Sequence, residues 1–261
     1  MGSVSADGGS AAKESIGEAG ANALTGGPMS EAVLAPSPRV LAVSARGLAR
    51  RHTGRWALRG VDLDVAAGDS LLVLGANGSG KTTLIRLLGT ALTPSAGTLK
   101  LFGGDAEAAR PRVGMVSHAD HHYDDLSARE NLLVGASLSP RPGSSVDAAL
   151  AAVGLDSRAN DIVRTFSAGM RKRLSFARLL WKKPELVLLD EPYAGLDPAG
   201  GRFVDQLVRD LRAAGSTVVF STHQVERGAA LCDEAVLLEA GRVKWRGNAA
   251  DALEHAGGPQ E

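Results

Sequence analysis

The chain has 261 residues, enough for one large domain with a full core or for two small ones. Its 29 basic and 29 acidic residues cancel, which argues against a nucleic-acid binder working through a broad basic face. The single cysteine, Cys232, cannot close an internal disulfide, no signal-peptide pattern opens the chain, and no apolar run approaches the roughly 18 residues needed to cross a bilayer. The expectation is a cytoplasmic protein whose membrane contact comes only through a partner.

Residues 1–38 are rich in Gly, Ala and Ser, hold few large apolar side chains, and end in Pro36-Ser37-Pro38. Such a segment cannot offset its ordering entropy and reads as a disordered leader, with Met29 inside it as a second candidate start. From Arg39 the texture changes. VLAVSA (40–45), VDLDV (61–65) and SLLVL (70–74) read as strands, the last apolar enough to be central in a sheet. KTTLIRLLG (81–89) has helical spacing and stops at Gly89, and GTLKLFG (97–103) and RVGMVS (112–117) read as further strands. A mostly helical stretch from Ser127 to Lys183 is broken by SPRPGSS (139–145), and Ser127 with Glu130 forms a capping box.

ELVLLDE (185–191) reads as a strand, a helix begins near Pro198, STVVFS (216–221) is a strand, and another helix runs to about Leu231. The strands EAVLLE (234–239) and GRVKWRG (241–247), the helical NAADALEHA (248–256) and a flexible tail at 257–261 close the chain. Strands alternating with helices predict an α/β domain over 39–256 around a largely parallel sheet. The strand-rich start and a helix-rich middle at about 119–183 predict two subdomains on that core.

Gly75-Ala76-Asn77-Gly78-Ser79-Gly80-Lys81-Thr82, followed by Thr83, has the spacing G-x-x-x-x-G-K-[ST] between a buried strand and a helix. Its glycines let the backbone wrap an anion, with amides converging at the positive end of the helix. Lys81 would reach the β- and γ-phosphates, and the Thr82 hydroxyl would ligate Mg²⁺. Four apolar residues at 186–189 then present Asp190 and Glu191 at the carboxyl edge of the sheet, where ligand sites of open α/β sheets form. Asp190 suits Mg²⁺, and Glu191 suits a general base acting on water.

Phe166-Ser167-Ala168-Gly169-Met170, followed by RKRLSFARLL, lies 20 residues before the Asp-Glu pair. It resembles the signature motif, usually LSGGQ, of the ABC-type ATPases. Ala194-Gly195-Leu196-Asp197 resembles that family's D-loop, and Ser221-Thr222-His223 its switch histidine. The resemblance extends from about Arg39 to Gly247. It implies a P-loop NTPase with a RecA-like parallel core, an N-terminal antiparallel β subdomain and a helical signature subdomain. It also implies ATP and Mg²⁺ as ligands, a homodimer or heterodimer of ATPase subunits, and an integral membrane permease partner at the cytoplasmic face of the membrane.

Under this resemblance Ser167 and Gly169 complete the nucleotide site of the facing subunit, Asp197 of the D-loop is counted among the nucleotide-binding residues, and His223 holds the attacking water with Glu191. The adenine-stacking aromatic of the family falls near His52, with Trp56 as the alternative. The family's glutamine loop falls in SHADHHYDDL (117–126), with Ala119 at the glutamine and His118 or Asp120 as substitutes. No cysteine assists His118, His121 and His122, and this stretch reads as a solvated coupling loop rather than a dedicated metal site. Together with YDDLSARENL (123–132), it is similar to the haem-exporter ATPase of cytochrome c maturation. The rival classes are a soluble ABC ATPase of the iron–sulfur cluster assembly type and an inactive half of a heterodimer.

Overall fold

The computed structural model describes residues 40–117, 121–139, 143 and 145–256. The expected leader, the expected tail and the triplet His118, Ala119 and Asp120 lie outside them. The strands are β1 (Leu41–His52), β2 (Arg55–Ala66), β3 (Ser70–Leu74), β4 (Ala96–Leu101), β5 (Gly104–Asp105), β6 (Val113–Val116), β7 (Leu186–Asp190), β8 (Thr217–Ser221), β9 (Glu234–Glu239) and β10 (Arg242–Asn248). The helices are α1 (Lys81–Leu88), α2 (Ala128–Ser137), α3 (Val146–Ala152), α4 (Ala168–Lys182), α5 (Pro198–Ala213), α6 (Val225–Ala229) and α7 (Ala252–Ala256).

Two sheets form. An antiparallel sheet has the order β2-β1-β4-β5, and a six-stranded sheet has the order β10-β9-β3-β8-β7-β6. Within the latter, β6, β7, β8, β3 and β9 run parallel, and only β10 is antiparallel to its neighbour.

The parallel strands are buried on both faces, as continuous apolar runs require. Alternate residues divide between two cores. Leu72, Leu74, Val187, Leu189, Val218 and Phe220 join α2–α5 on one face. Leu71, Val73, Leu186, Leu188 and Val219 join α1 and the antiparallel sheet on the other. α1 is thereby fixed beneath the carboxyl edge of β3 and β7.

The first hairpin departs from its expected length. β1 and β2 each run to 12 residues, because the pairing continues past the apolar segments through LARRHTGRWAL. Beyond the buried Leu48, Ala49 and Leu58 the strands are held by backbone pairing, and Thr53 (φ 40) and Gly54 (φ 88) close a two-residue turn. The helix expected from residue 248 is only partly formed: β10 extends through Asn248, a 3₁₀ turn follows, and α7 covers five residues. The capping box is present as expected. Ser127 Oγ accepts from the Glu130 amide, and the Glu130 carboxylate accepts from the Ser127 amide at 2.8 Å.

Candidate functional site

The loop between β3 and α1 is shaped by three glycines at positive φ: Gly75 (142), Gly78 (80) and Gly80 (111). At two of them space is also lacking. A Cβ on Gly75 would stand 2.3 Å from Leu238 O, and one on Gly80 would stand 2.7 Å from Ala57 O. Gly80 caps α1 with no side-chain hydrogen bond, and the first turn of the helix holds no acidic residue. Its amides and helix dipole are thus left for an anion.

The loop rests on the β9–β10 turn: the Gly241 amide donates to Ser79 O at 3.0 Å, and Gly241 O accepts from the Arg59 amide at 2.8 Å. Lys81 Nζ bridges Gly75 O (2.7 Å) and Ala76 O (3.1 Å). Burial pushes its ammonium below the usual lysine range, and Glu191 and Asp190 oppose that effect.

Across the sheet edge, β7 and β8 place Asp190 opposite Ser221. Asp190 is 3 % exposed, and its Oδ1 accepts from Ser221 Oγ at 2.8 Å and from Thr82 Oγ1 at 3.2 Å. Glu191 follows at φ 47, a left-handed conformation that costs a non-glycine residue energy. Its amide donates to Ser221 O (3.2 Å) and Oγ (3.1 Å), which holds the turned backbone in place. The His223 amide donates to Glu191 Oε2 at 3.3 Å, and His223 Nε2 lies 3.1 Å from Oε1, an ion pair only when the ring is protonated. Oε1 is buried and receives no well-aligned hydrogen bond, so it retains acceptor capacity for a water.

A cleft of about 280 Å³ is lined by Ala57, Asn77, Gly78, Gly80, Lys81, Thr82, Thr83, Glu191 and His223. A second cleft of about 1100 Å³ runs along the outer side of the same loop, past Gly75, Ala76, Ser79 and Thr222. The oxygen pair of Thr82 and Asp190 suits a hard cation that keeps water and phosphate ligands, as Mg²⁺ does. A converging set of amides, one lysine and a carboxylate with spare acceptor capacity is what triphosphate binding and water activation need.

Other expected residues stand elsewhere. Ser167 caps α4, its Oγ accepting from the Met170 amide at 3.3 Å. Ser167 and Gly169 lie at the tip of α4 and line neither cleft. Asp197 caps α5, accepting from the Gly200 amide at 2.7 Å. His52 closes β1, exposed and paired with Arg55, while Trp56 is 42 % exposed with the Arg51 guanidinium 5.8 Å from its ring. Ala57, not either ring, is the residue of this hairpin that lines the smaller cleft.

Among the described residues no group of three or more His, Cys, Asp or Glu converges as a metal site. His122 packs on α4, with Nε2 2.9 Å from Arg171 O and 3.1 Å from Ser175 Oγ. Sequence reasoning assigned no role to Ser221 or Ala57. In the sequence Ser221 was marked only by ending an apolar strand; the pairing of that strand with the one ending in Asp190 appears in the fold alone.

The ABC transporter family profile matches residues 58–194, more than half of the chain. The chain belongs to the ABC transporter family. The daunorubicin resistance ATP-binding protein DrrA3 of Streptomyces coeruleorubidus is 37% identical over 225 residues, covering 83% of this chain and 71% of that protein. The Nod factor export ATP-binding protein I of Ralstonia nicotianae is 34% identical over 221 residues, covering 82% and 69%. Among solved structures, cbiO1 from Clostridium perfringens, part of the ABC transporter complex cbiONQ, aligns with a TM-score of 0.70 at 26% identity, covering 82% of this chain and 91% of that one. A dimeric ATP-binding cassette in a post-hydrolysis state with ADP and Pi has the same fold, with a TM-score of 0.72 at 23% identity over 79% and 98%.

The fold is therefore that of a P-loop ABC ATPase, and the chain is an ATP-binding, ATP-hydrolysing transporter subunit. Among the described residues no helix of this ABC ATPase is long and apolar enough to cross a membrane.

Proposed function

We propose that this ABC ATPase powers an exporter, working as a dimer of ATPase subunits against an integral membrane permease at the cytoplasmic face of the membrane. The observation that carries the dimer is the separation of Ser167 and Gly169 from the clefts of their own chain. A Cβ on Gly169 would find only Ser167 Oγ, 4.0 Å away, so packing within the chain does not demand a glycine there. A facing subunit that brings a phosphate to the α4 tip does. Asp197, at the start of α5, belongs to the same interface.

Within one site, the loop Gly75–Thr83 grips the phosphates and Thr82 and Asp190 hold Mg²⁺, whose charge offsets that of the phosphate oxygens. Glu191 accepts a proton from the attacking water, and His223 orients that water and the Glu191 carboxylate. By the resemblance His52 would stack on the base, with Trp56 as the alternative; Ala57 alone of this hairpin lines the smaller cleft.

Export is supported by the names of the relatives, which concern drug resistance and Nod factor export. The resemblance to the haem exporter of cytochrome c maturation gains no support from them. The same names favour a transporter over the cluster-assembly type, and the intact Lys81, Asp190, Glu191 and His223 favour an active subunit over an inactive half.

Turnover of the purified full chain, measured against protein concentration, tests the dimer. Turnover per chain should rise with concentration, and Ser167→Ala should lower it by about tenfold with nucleotide affinity unchanged. Full turnover at monomer concentrations, indifferent to Ser167, would overturn the reading.

A further inference from the structure

Three side chains that do not line the phosphate cleft tie its parts to one another. Tyr193 follows Glu191 by two residues, Asp205 lies on α5, and Arg227 lies on α6, four residues after His223. Tyr193 Oη donates to Asp205 Oδ1 at 2.7 Å. Arg227 Nε donates to Oδ1 at 2.8 Å and Nη2 to Oδ2 at 2.7 Å, a bidentate pair. The guanidinium carbon also lies 4.3 Å from the centroid of the Tyr193 ring, and Nη1 reaches Oε1 of Gln224, next to His223, at 3.3 Å.

The cluster is sheltered. The side chains of Arg227 and Asp205 are 29% and 15% exposed, and the Tyr193 ring packs edge-on against Phe220 with centroids 5.8 Å apart. Burial would raise the Asp205 carboxyl, but the hydrogen bonds from Arg227 and Tyr193 prevail and hold it below the usual range. Gly201, inside α5, bears on the same contact. A Cβ there would stand 2.8 Å from both Nη1 and Nη2 of Arg227, so the bare backbone gives the guanidinium its path to Asp205. Glycine otherwise weakens a helix interior relative to alanine.

α6 has five residues and no side-chain cap, too few to set its own direction, so tertiary contacts must aim the His223 that precedes it. We propose that Tyr193, Asp205 and Arg227 form a latch that clamps α6 and the segment following Glu191 onto α5, and so sets the position of His223 against the Glu191 carboxylate. The latch rests on the reading of Glu191 and His223 given above. Its members are positioning residues.

The test measures Mg-ATPase turnover of the full chain for Asp205→Asn, Gly201→Ala, His223→Ala and the double variant Asp205→Asn/His223→Ala. Asp205→Asn and Gly201→Ala should each lower kcat by about tenfold, because a shift on the order of 1 Å in a reacting group costs that much or more. KM for ATP should stay within about twofold, as for groups that act after binding. Since the latch acts through His223, Asp205→Asn should add no loss in the His223→Ala background.

Gly201→Ala keeps the test sharp even where Asp205→Asn folds poorly, because it improves helix propensity while displacing Arg227. Losses from Asp205→Asn and His223→Ala that multiply, or a Gly201→Ala variant with full kcat, would overturn the latch alone. A His223→Ala variant with full turnover would overturn the reading of the site and the latch with it.

Discussion

Ser221 stands opposite Asp190 across β8 and β7, and its hydroxyl both donates to Asp190 Oδ1 at 2.8 Å and accepts from the Glu191 amide at 3.1 Å. One hydroxyl thus orients the carboxylate that faces Thr82 and pins the strained backbone that turns Glu191 toward His223. Ser221→Ala removes both contacts. It should cost about 2 kcal/mol of stability, the usual loss for a hydrogen bond to a buried charge, and raise the Mg²⁺ concentration needed for half-maximal turnover. Thermal melting and a Mg²⁺ titration of the ATPase check the two effects separately.

Glu191→Gln keeps the shape of the side chain and removes its basicity. Turnover should fall by roughly 10² to 10⁴, the range for loss of a general base, while nucleotide still binds. A variant that retains more than about a tenth of wild-type turnover would assign the proton to another group.

Gly75→Ala places a methyl 2.3 Å from Leu238 O at a backbone angle that side chains rarely adopt. The strain is on the order of 3 kcal/mol, which for a domain of this size lowers the melting temperature by roughly 5–10 °C. ATP should restore less of that loss than it adds to the wild type, because the phosphate cradle itself is deformed. Differential scanning fluorimetry with and without Mg-ATP reads both quantities.

Much of this site was legible because its motifs are local. The phosphate loop needs a strand, a run of glycines and a helix within a dozen or so residues, and the Asp190–Glu191 pair ends an apolar strand that announces itself. The outer half of the β1–β2 hairpin was not legible: its charged, exposed residues carry no apolar alternation, and only the Thr53-Gly54 turn marks the reversal. The partners of Asp190 and Asp205 were hidden for another reason. Ser221 is 31 residues from Asp190, and Asp205 is 22 from Arg227, so strand order and helix packing bring them together rather than spacing along the chain. Asp197 illustrates a third case: it was assigned to nucleotide binding through family resemblance, while within one chain it is a helix cap.

Acid stability has a traceable contributor in Asp233, which accepts from the amide (2.9 Å) and hydroxyl (2.7 Å) of Ser70 and pairs with Arg212. Burial would raise its carboxyl, but these partners hold it below the ordinary range. A depressed carboxyl adds stability that is fully present above its unfolded value, about 3.9, and is lost as pH falls through the lower folded value. Asp233→Asn should therefore melt below the wild type at pH 7, with the gap closing as pH falls through the depressed folded value. Melting curves across pH 2–8 test this, and a gap that stays constant would place the effect in packing rather than charge.

The two-residue turn at Ala240 and Gly241 gives the molecule an order of failure. Its glycine is hydrogen-bonded to the floor of the phosphate loop on one side and to β2 on the other, while β10 is the edge strand of its own sheet. Edges fray before centres. On warming, the grip on nucleotide should slacken while the buried parallel strands are still intact, so hydrogen exchange at Ser79 and Gly241 should quicken at temperatures where the amides of β3 and β7 remain protected.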